Sequence, residues 1–234
     1  MIPQHQRLIE GLVGKRLKDM KKLNLGCGAD YRVGWVNADF SDSPEVRTDR
    51  KWDFTKLPLK IKDEEFDYIF SSHTLEHLSG TLTPLLIELW RGLTPGGVLE
   101  IRVPHFSHYS ALTGFEHRNA FSINGFSLFA DTSFFKHIPG LPDFKKPLFK
   151  VVSSKLNHQR TDDGNRFLIP KNQRGLYYSL AKLISFLANL NTNFCEKIWC
   201  YWVGGFQEMQ VILRKIPQDI ILEKNYFKKL MLPK

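Results

Sequence analysis

The hydrophobic positions of this chain change their period along its length. Residues 5–21 space apolar side chains at helical intervals, which predicts an amphipathic helix covering a sheet edge. Short apolar runs follow at 22–25, 35–39, about 46–49, 66–71 and 98–103, and they read as strands. Helical spacing returns near 74–78 and at 83–92, where Thr83-Pro84 suits a helix start because proline at the first helical position loses no needed N–H. Strands alternating with helices predict an α/β fold around one open sheet.

From Pro104 the regularity breaks. Residues 105–175 are rich in Phe, His, Lys and Pro, with turn signals at Pro139-Gly140 and Asp162-Asp163-Gly164, and they read as an insertion or lid. Leu176 to Leu190 resumes helical spacing, and Phe206 to Lys215 reads as a late strand returning to the sheet. The expected organisation is a single domain over 1–234. Its core spans 20–104 plus about 204–216, a lid insertion covers about 105–203, and a tail covers 217–234.

Composition changes the picture in three ways. A chain of 234 residues with 42% hydrophobic content can bury one full core. Its three cysteines, Cys27, Cys195 and Cys200, show no metal-ligand spacing, no apolar leader follows Met1-Ile2-Pro3, and no apolar run approaches a membrane span, so a reducing cytoplasm is expected. Charge is uneven: residues 1–135 hold 16 Lys and Arg against 17 Asp and Glu, whereas residues 136–234 hold 17 against 7. A basic excess in the second part of the chain suits an anionic partner such as a charged glycan or a lipid head group, with RNA the remaining alternative.

The densest chemistry lies in Lys22-Leu23-Asn24-Leu25-Gly26-Cys27-Gly28-Ala29-Asp30, followed by Trp35-Val36-Asn37-Ala38-Asp39. Gly26 and Gly28 let a strand turn sharply and let backbone approach a ligand, while Asp39 at the end of the next strand suits a ribose diol. Only six residues separate Gly28 from Trp35, too few for a helix whose N-terminus could hold a pyrophosphate. A nucleoside cofactor without phosphates fits better.

Four further blocks stand in order behind this turn: Asp39, then Trp52-Asp53-Phe54, then Phe66-Asp67-Tyr68-Ile69-Phe70-Ser71-Ser72-His73-Thr74-Leu75-Glu76-His77-Leu78, then Leu93-Thr94-Pro95-Gly96-Gly97-Val98-Leu99. Together they resemble the class I S-adenosylmethionine-dependent methyltransferases, in particular the type 11 subgroup. The resemblance covers about residues 20–104 and departs from the family pattern at Asn24, commonly acidic, and Ala29, commonly glycine. It implies a Rossmann-like open sheet with a shortened first helix, and S-adenosylmethionine held by Asn24, Gly26, Cys27, Gly28, Asp39, Asp53, Phe54, Ser72 and His73. It also implies methyl transfer to a glycan, glycolipid or related small metabolite. An S-adenosylmethionine-binding protein without activity and an RNA methyltransferase are the alternatives.

Acceptor chemistry is expected from the loops after the fourth and fifth strands. His105 is the first choice of general base, with His73, His108 and His117 behind it, and Arg118 could hold an acceptor anion. Tyr109, Phe115 and Phe121 read as lid packing. The run His73-Thr74-Leu75-Glu76-His77 also fits the H-x-x-E-H order of a zinc site, but its surroundings assign it to the strand-four end and no metal is expected. Basic residues before the Leu176–Leu187 segment, and the apolar, cationic stretch from Ile220 to Leu232, raise two options: a helix packed on the core, or peripheral contact with an anionic membrane.

Overall fold

The computed structural model describes residues 3–80, 82–113, 116–131, 146–158, 174–203 and 205–218. Phe115, both turn signals of the insertion and the tail from 219 lie outside them. Seven strands, β1 (Lys22–Leu25), β2 (Val36–Asp39), β3 (Arg50–Lys51), β4 (Phe66–Ser72), β5 (Leu93–Val103), β6 (Phe149–Asn157) and β7 (Glu208–Lys215), form one sheet in the order β3-β2-β1-β4-β5-β7-β6. The first five are parallel, and β7 runs antiparallel between β5 and β6.

Alternation along the strands builds two separate cores. Tyr68, Phe70, Val98 and Ile212 point to one face, where they meet Ile9 of helix α1 (Gln4–Val13) and Met20. Ile69, Leu99, Ile101, Val211 and Leu213 point to the other, under helix α2 (Thr83–Gly92) and the segment after β5. With both faces covered, the strands read as nearly continuous apolar runs rather than alternating ones. A polar cluster sits inside the first layer: the fully buried Glu100 accepts from Tyr68 Oη at 2.6 Å and Gln210 Nε2 at 2.7 Å, and it is paired with His5 at 2.9 Å and Arg102 at 2.9 Å.

Four expectations need correction. The N-terminal helix ends at Val13, because Gly14 takes a left-handed cap with φ +77, and only a 3₁₀ turn at Leu17–Asp19 follows. The third strand is displaced from 46–49 to Arg50–Lys51. Residues 74–78 hold only a 3₁₀ turn, Leu75–His77. The insertion is not continuous, since Phe149–Asn157 is a strand of the sheet, paired with β7 through a register shift between Val151 and Ser153. Its alternation is masked in the sequence by Ser153-Ser154 at that irregularity.

Between β5 and β6 lie short helices α3 (Ser110–Thr113) and α4 (Ile123–Ser127); between β6 and β7 lie α5 (Arg174–Leu190) and α6 (Thr192–Lys197). Helix α5 is packed through small residues. Ala181 and Ala188 are buried, whereas Leu176, Leu180, Leu183, Phe186, Leu187 and Leu190 are exposed along its length. No helix among the described residues is long and apolar enough to cross a membrane.

Candidate active site

The site is built from strand ends at the carboxyl edge of the sheet, where ligands collect in open α/β folds. β1 runs into a turn with no helix before β2. Gly26, at φ +70, donates through its amide to the Ala38 carbonyl at 2.8 Å. A Cβ at Gly26 would overlap the Thr74 side chain, so glycine is needed for the loops after β1 and β4 to touch. The Thr74 hydroxyl lies 3.2–3.3 Å from the Leu25, Gly26 and Ser72 carbonyls and fastens the two loops.

Gly28 is a different case. Its φ is +48 and nothing lies within 4 Å of where a Cβ would stand, so the turn leaves open space on that side. Its N–H donates to Asp39 Oδ2 at 2.8 Å, and the Ser41 N–H donates to Oδ1 at 2.9 Å. A carboxylate offers about four lone-pair directions, so two amides orient Asp39 and leave capacity for two hydroxyls. Phe40, next to it, presents its ring to solvent with 62% exposure. An open glycine turn, an oriented half-buried carboxylate and an exposed aromatic face fit an adenosine.

The other expected cofactor residues are placed less directly. Asn24 is buried, and its amide donates to the Asp30 carbonyl at 2.7 Å and to Asn37 Oδ1 at 3.2 Å, so it braces the turn from behind. The Cys27 thiol is buried under the turn, where burial and the neighbouring Asp39 push its pKa up to about 11. Asp53 Oδ1 accepts from the Thr55 hydroxyl at 2.6 Å and its amide at 3.0 Å; the hydroxyl bond is the main reason its carboxyl lies below the usual range. The Phe54 ring is in the core, and Ser72 ends β4 half-buried.

His73 follows Ser72 with φ +51, a left-handed conformation uncommon for a residue with a side chain. Its Nε2 stands 3.1 Å from Glu208 Oε2, and Asn157 Nδ2 donates to the other Glu208 oxygen at 3.0 Å. Burial pushes the Glu208 carboxyl up, but the His73 and Asn157 hydrogen bonds outweigh it and hold it below the ordinary value. The antiparallel β7 delivers Glu208 here because its first residues pair with the end of β5.

His105 is placed differently from the expectation that made it the first base. It is fully buried, with Nδ1 2.7 Å from Ser107 Oγ and Nε2 3.1 Å from Glu196 Oε1. Glu196 also accepts from the backbone N–H groups of Ile123 and Asn124. Both ring nitrogens are thus committed, Nδ1 within its own turn and Nε2 to the Glu196 that ties the chain after β5 to α4 and α6. His108 is half-buried, 2.7 Å from Ser110 Oγ, and burial lowers its pKa. His117 is half-buried beside His77, the ring centroids 4.8 Å apart, and Arg118 is exposed. Phe121 is buried in the core, whereas Tyr109 is exposed.

Further residues at this edge carry no local signal in the sequence. Glu208 was hidden as a charged residue at the start of a strand, and Phe40 as the neighbour of a strand-end Asp. Asn119 donates to the Leu75 and Leu78 carbonyls at 3.2 and 2.7 Å, while the Arg118 and Asn119 amides donate to the Glu76 carbonyl, stapling the loops after β4 and β5 together. Beside this staple lies a groove of about 410 Å³ lined by Leu82, Leu86, Phe121, Phe126 and Phe129 with Thr83 and Ser122.

The family model described as "Methyltransferase domain" matches residues 33–101. No curated protein sequence matches the chain. Among solved structures, an S-adenosylmethionine-dependent methyltransferase from Archaeoglobus fulgidus superposes with TM-score 0.50 and 15% identity over 90% of this chain and 91% of that one. One from Mesorhizobium loti gives 0.51 and 13% over 90% and 96%. A phosphoethanolamine N-methyltransferase from Haemonchus contortus gives 0.52 and 14% over 92% of this chain and 52% of that one. The sheet order is that of the class I S-adenosylmethionine-dependent methyltransferase fold, and residues 33–101 match a methyltransferase domain. Within that class the matched segment is of the type 11 domain, and S-adenosylmethionine is the cofactor.

Proposed function

We propose that the chain transfers the methyl group of S-adenosylmethionine to an oxygen of a glycan, glycolipid or related small acceptor. The observation that carries this reading is the carboxyl edge itself, which holds both an oriented Asp39 with an open Gly28 turn and the His73–Glu208 pair. When bound, S-adenosylmethionine supplies a methyl group already activated by its sulfonium. The chain's own part is to hold, orient and manage a proton. Asp39 and Gly28 hold the ribose, and the Phe40 ring covers the adenine. His73, with Nε2 3.1 Å from Glu208 Oε2 and Nδ1 3.2 Å from Glu76 Oε1, takes the proton-handling role first expected of His105. Supporting an acceptor that is partly apolar are the groove beside Asn119 and the exposed leucine stripe of α5. The stripe and the basic excess after residue 135 suit a lipid-linked acceptor reached from an anionic membrane.

Titration calorimetry tests the cofactor side without knowing the acceptor. S-adenosylmethionine or its demethylated product should bind, NAD should not, and Asp39→Ala should weaken binding roughly ten- to a hundredfold, the loss of a charged acceptor worth about 1.5–3 kcal/mol. Tight NAD binding, or an Asp39→Ala protein that binds like wild type, rejects the reading. Release of the demethylated product in the presence of acceptor extracts separates an enzyme from a protein that only binds the cofactor.

A further inference from the structure

We propose that Glu76, His77 and His117 form a binding site for one divalent transition-metal ion of the Mn²⁺, Fe²⁺, Co²⁺ or Zn²⁺ kind, on the acceptor side of the carboxyl edge. One donor atom from each of the three lies within 4.8 Å of the other two. They come from two loops. Glu76 and His77 belong to the 3₁₀ turn after β4, and His117 belongs to the segment after β5. The Asn119 staple and the amides bonded to the Glu76 carbonyl hold those loops in register, so the donors are placed by backbone rather than by chance side-chain contact.

A second observation points to a ligand. Glu76 is 1% exposed, yet neither of its carboxylate oxygens has a hydrogen-bond partner, and the buried Nδ1 of His117 has none either. His73 Nδ1 stands 3.2 Å from Glu76 Oε1 outside hydrogen-bond geometry. A buried carboxylate is ordinarily satisfied by donors or by an ion, and with only His73 beside one Glu76 oxygen the acceptors converging from two loops suit a cation. The donor set of two imidazoles and one carboxylate suits transition metals more than calcium, and three protein ligands leave open positions for an outside oxygen.

This site differs from the H-x-x-E-H order noted in the sequence. That order needs His73 and His77 on one helix face, but His73 is left-handed and the following turn is 3₁₀; the third ligand comes instead from His117, forty residues on. The ion would face the same edge as His73. There it could ligate an acceptor oxygen and lower the pKa of its hydroxyl, as bound zinc does for water. That role rests on the methyltransferase reading, whereas metal binding itself does not.

The test uses untagged, chelator-stripped protein and Mn²⁺ or Zn²⁺ alone, followed by calorimetry and by the electron paramagnetic resonance of Mn²⁺. One ion per chain should bind at micromolar or tighter affinity. His117→Ala and Glu76→Gln should each weaken it at least tenfold, while melting temperature and S-adenosylmethionine binding of His117→Ala stay within error of wild type. Because His117 is partly exposed, its variant keeps the test decisive if Glu76→Gln fails to fold. No binding, millimolar binding, or binding that both variants retain overturns the site. Loss of cofactor binding in the stripped wild-type protein would instead count against the functional reading, so the two failures are told apart.

Discussion

At the scale of single residues, two glycines two positions apart do different work. Gly26 has positive φ and a neighbour that a Cβ would overlap, whereas Gly28 has positive φ and open space. Gly26→Ala should therefore lower the melting temperature sharply, since left-handed strain of about 1–3 kcal/mol adds to a clash. Gly28→Ala should cost stability only the strain of about 1–2 kcal/mol but lose cofactor affinity, because its methyl enters the space the ligand needs. Thermal melts beside calorimetry read both; equal behaviour of the two variants would contradict the assignment. The histidines divide in the same way. His105→Ala should destabilise, on the order of 3 kcal/mol for breaking a buried charge-assisted contact, whereas His73→Ala should fold and lose roughly 10²–10⁴ in methyl-transfer rate. A stable His105→Ala protein with normal cofactor binding and no transfer would restore His105 as the base. Sequence put His105 first and His73 behind it, but what separates them lies in Glu196 and Glu208, 91 and 135 residues away, beyond any local pattern.

At the scale of elements, what was legible followed local periodicity. The strands at 22–25, 36–39, 66–72 and 208–215 and the helices at 83–92 and 174–190 stand where apolar spacing put them. Two features escaped for physical reasons. β6 carries Ser153-Ser154 at a register shift, which erases its alternation, and β3 is only two residues long. Helix α5 was legible as amphipathic but not in its orientation: the buried side is Ala181 and Ala188, and the leucines face out. An exposed stripe of that kind suits a membrane surface. Sedimentation with anionic vesicles should carry the protein down, release it as salt rises, and fail for a Leu180→Asp, Leu183→Asp double variant. Equal indifference to neutral and anionic vesicles would leave α5 without that role.

At the scale of the whole molecule, two buried carboxylates couple the fold to acid. Burial pushes Glu65 and Glu100 up, but bonds from Arg50 and Lys21 to the first, and from His5 and Arg102 to the second, outweigh it and set both at about 2. A folded pKa depressed below its unfolded value gives stability that is complete above the usual carboxylate range of about 4–4.5 and is lost as pH falls toward 2. Melting temperature should thus hold from neutrality to about pH 5 and drop steeply below, and Glu100→Gln should flatten that drop. An unchanged slope in the variant would mean Glu100 is not one of the groups responsible. Because Glu100 pairs with His5 across the sheet surface, α1 should loosen first, visible as early loss of amide protection at residues 4–13.

The antiparallel course of β7 has a consequence in time as well as space. His73 waits for a partner 135 residues later in the chain, and His105 for one 91 residues later. At a synthesis rate of about 5–20 residues per second, the glycine turn and Asp39 emerge from the ribosome on the order of ten seconds before Glu208 does. Under the proposed function, a nascent chain in that interval has Asp39 but not yet the Glu208 that pairs with His73. A chain released before Glu208 is made should therefore transfer no methyl group, because His73 lacks its partner.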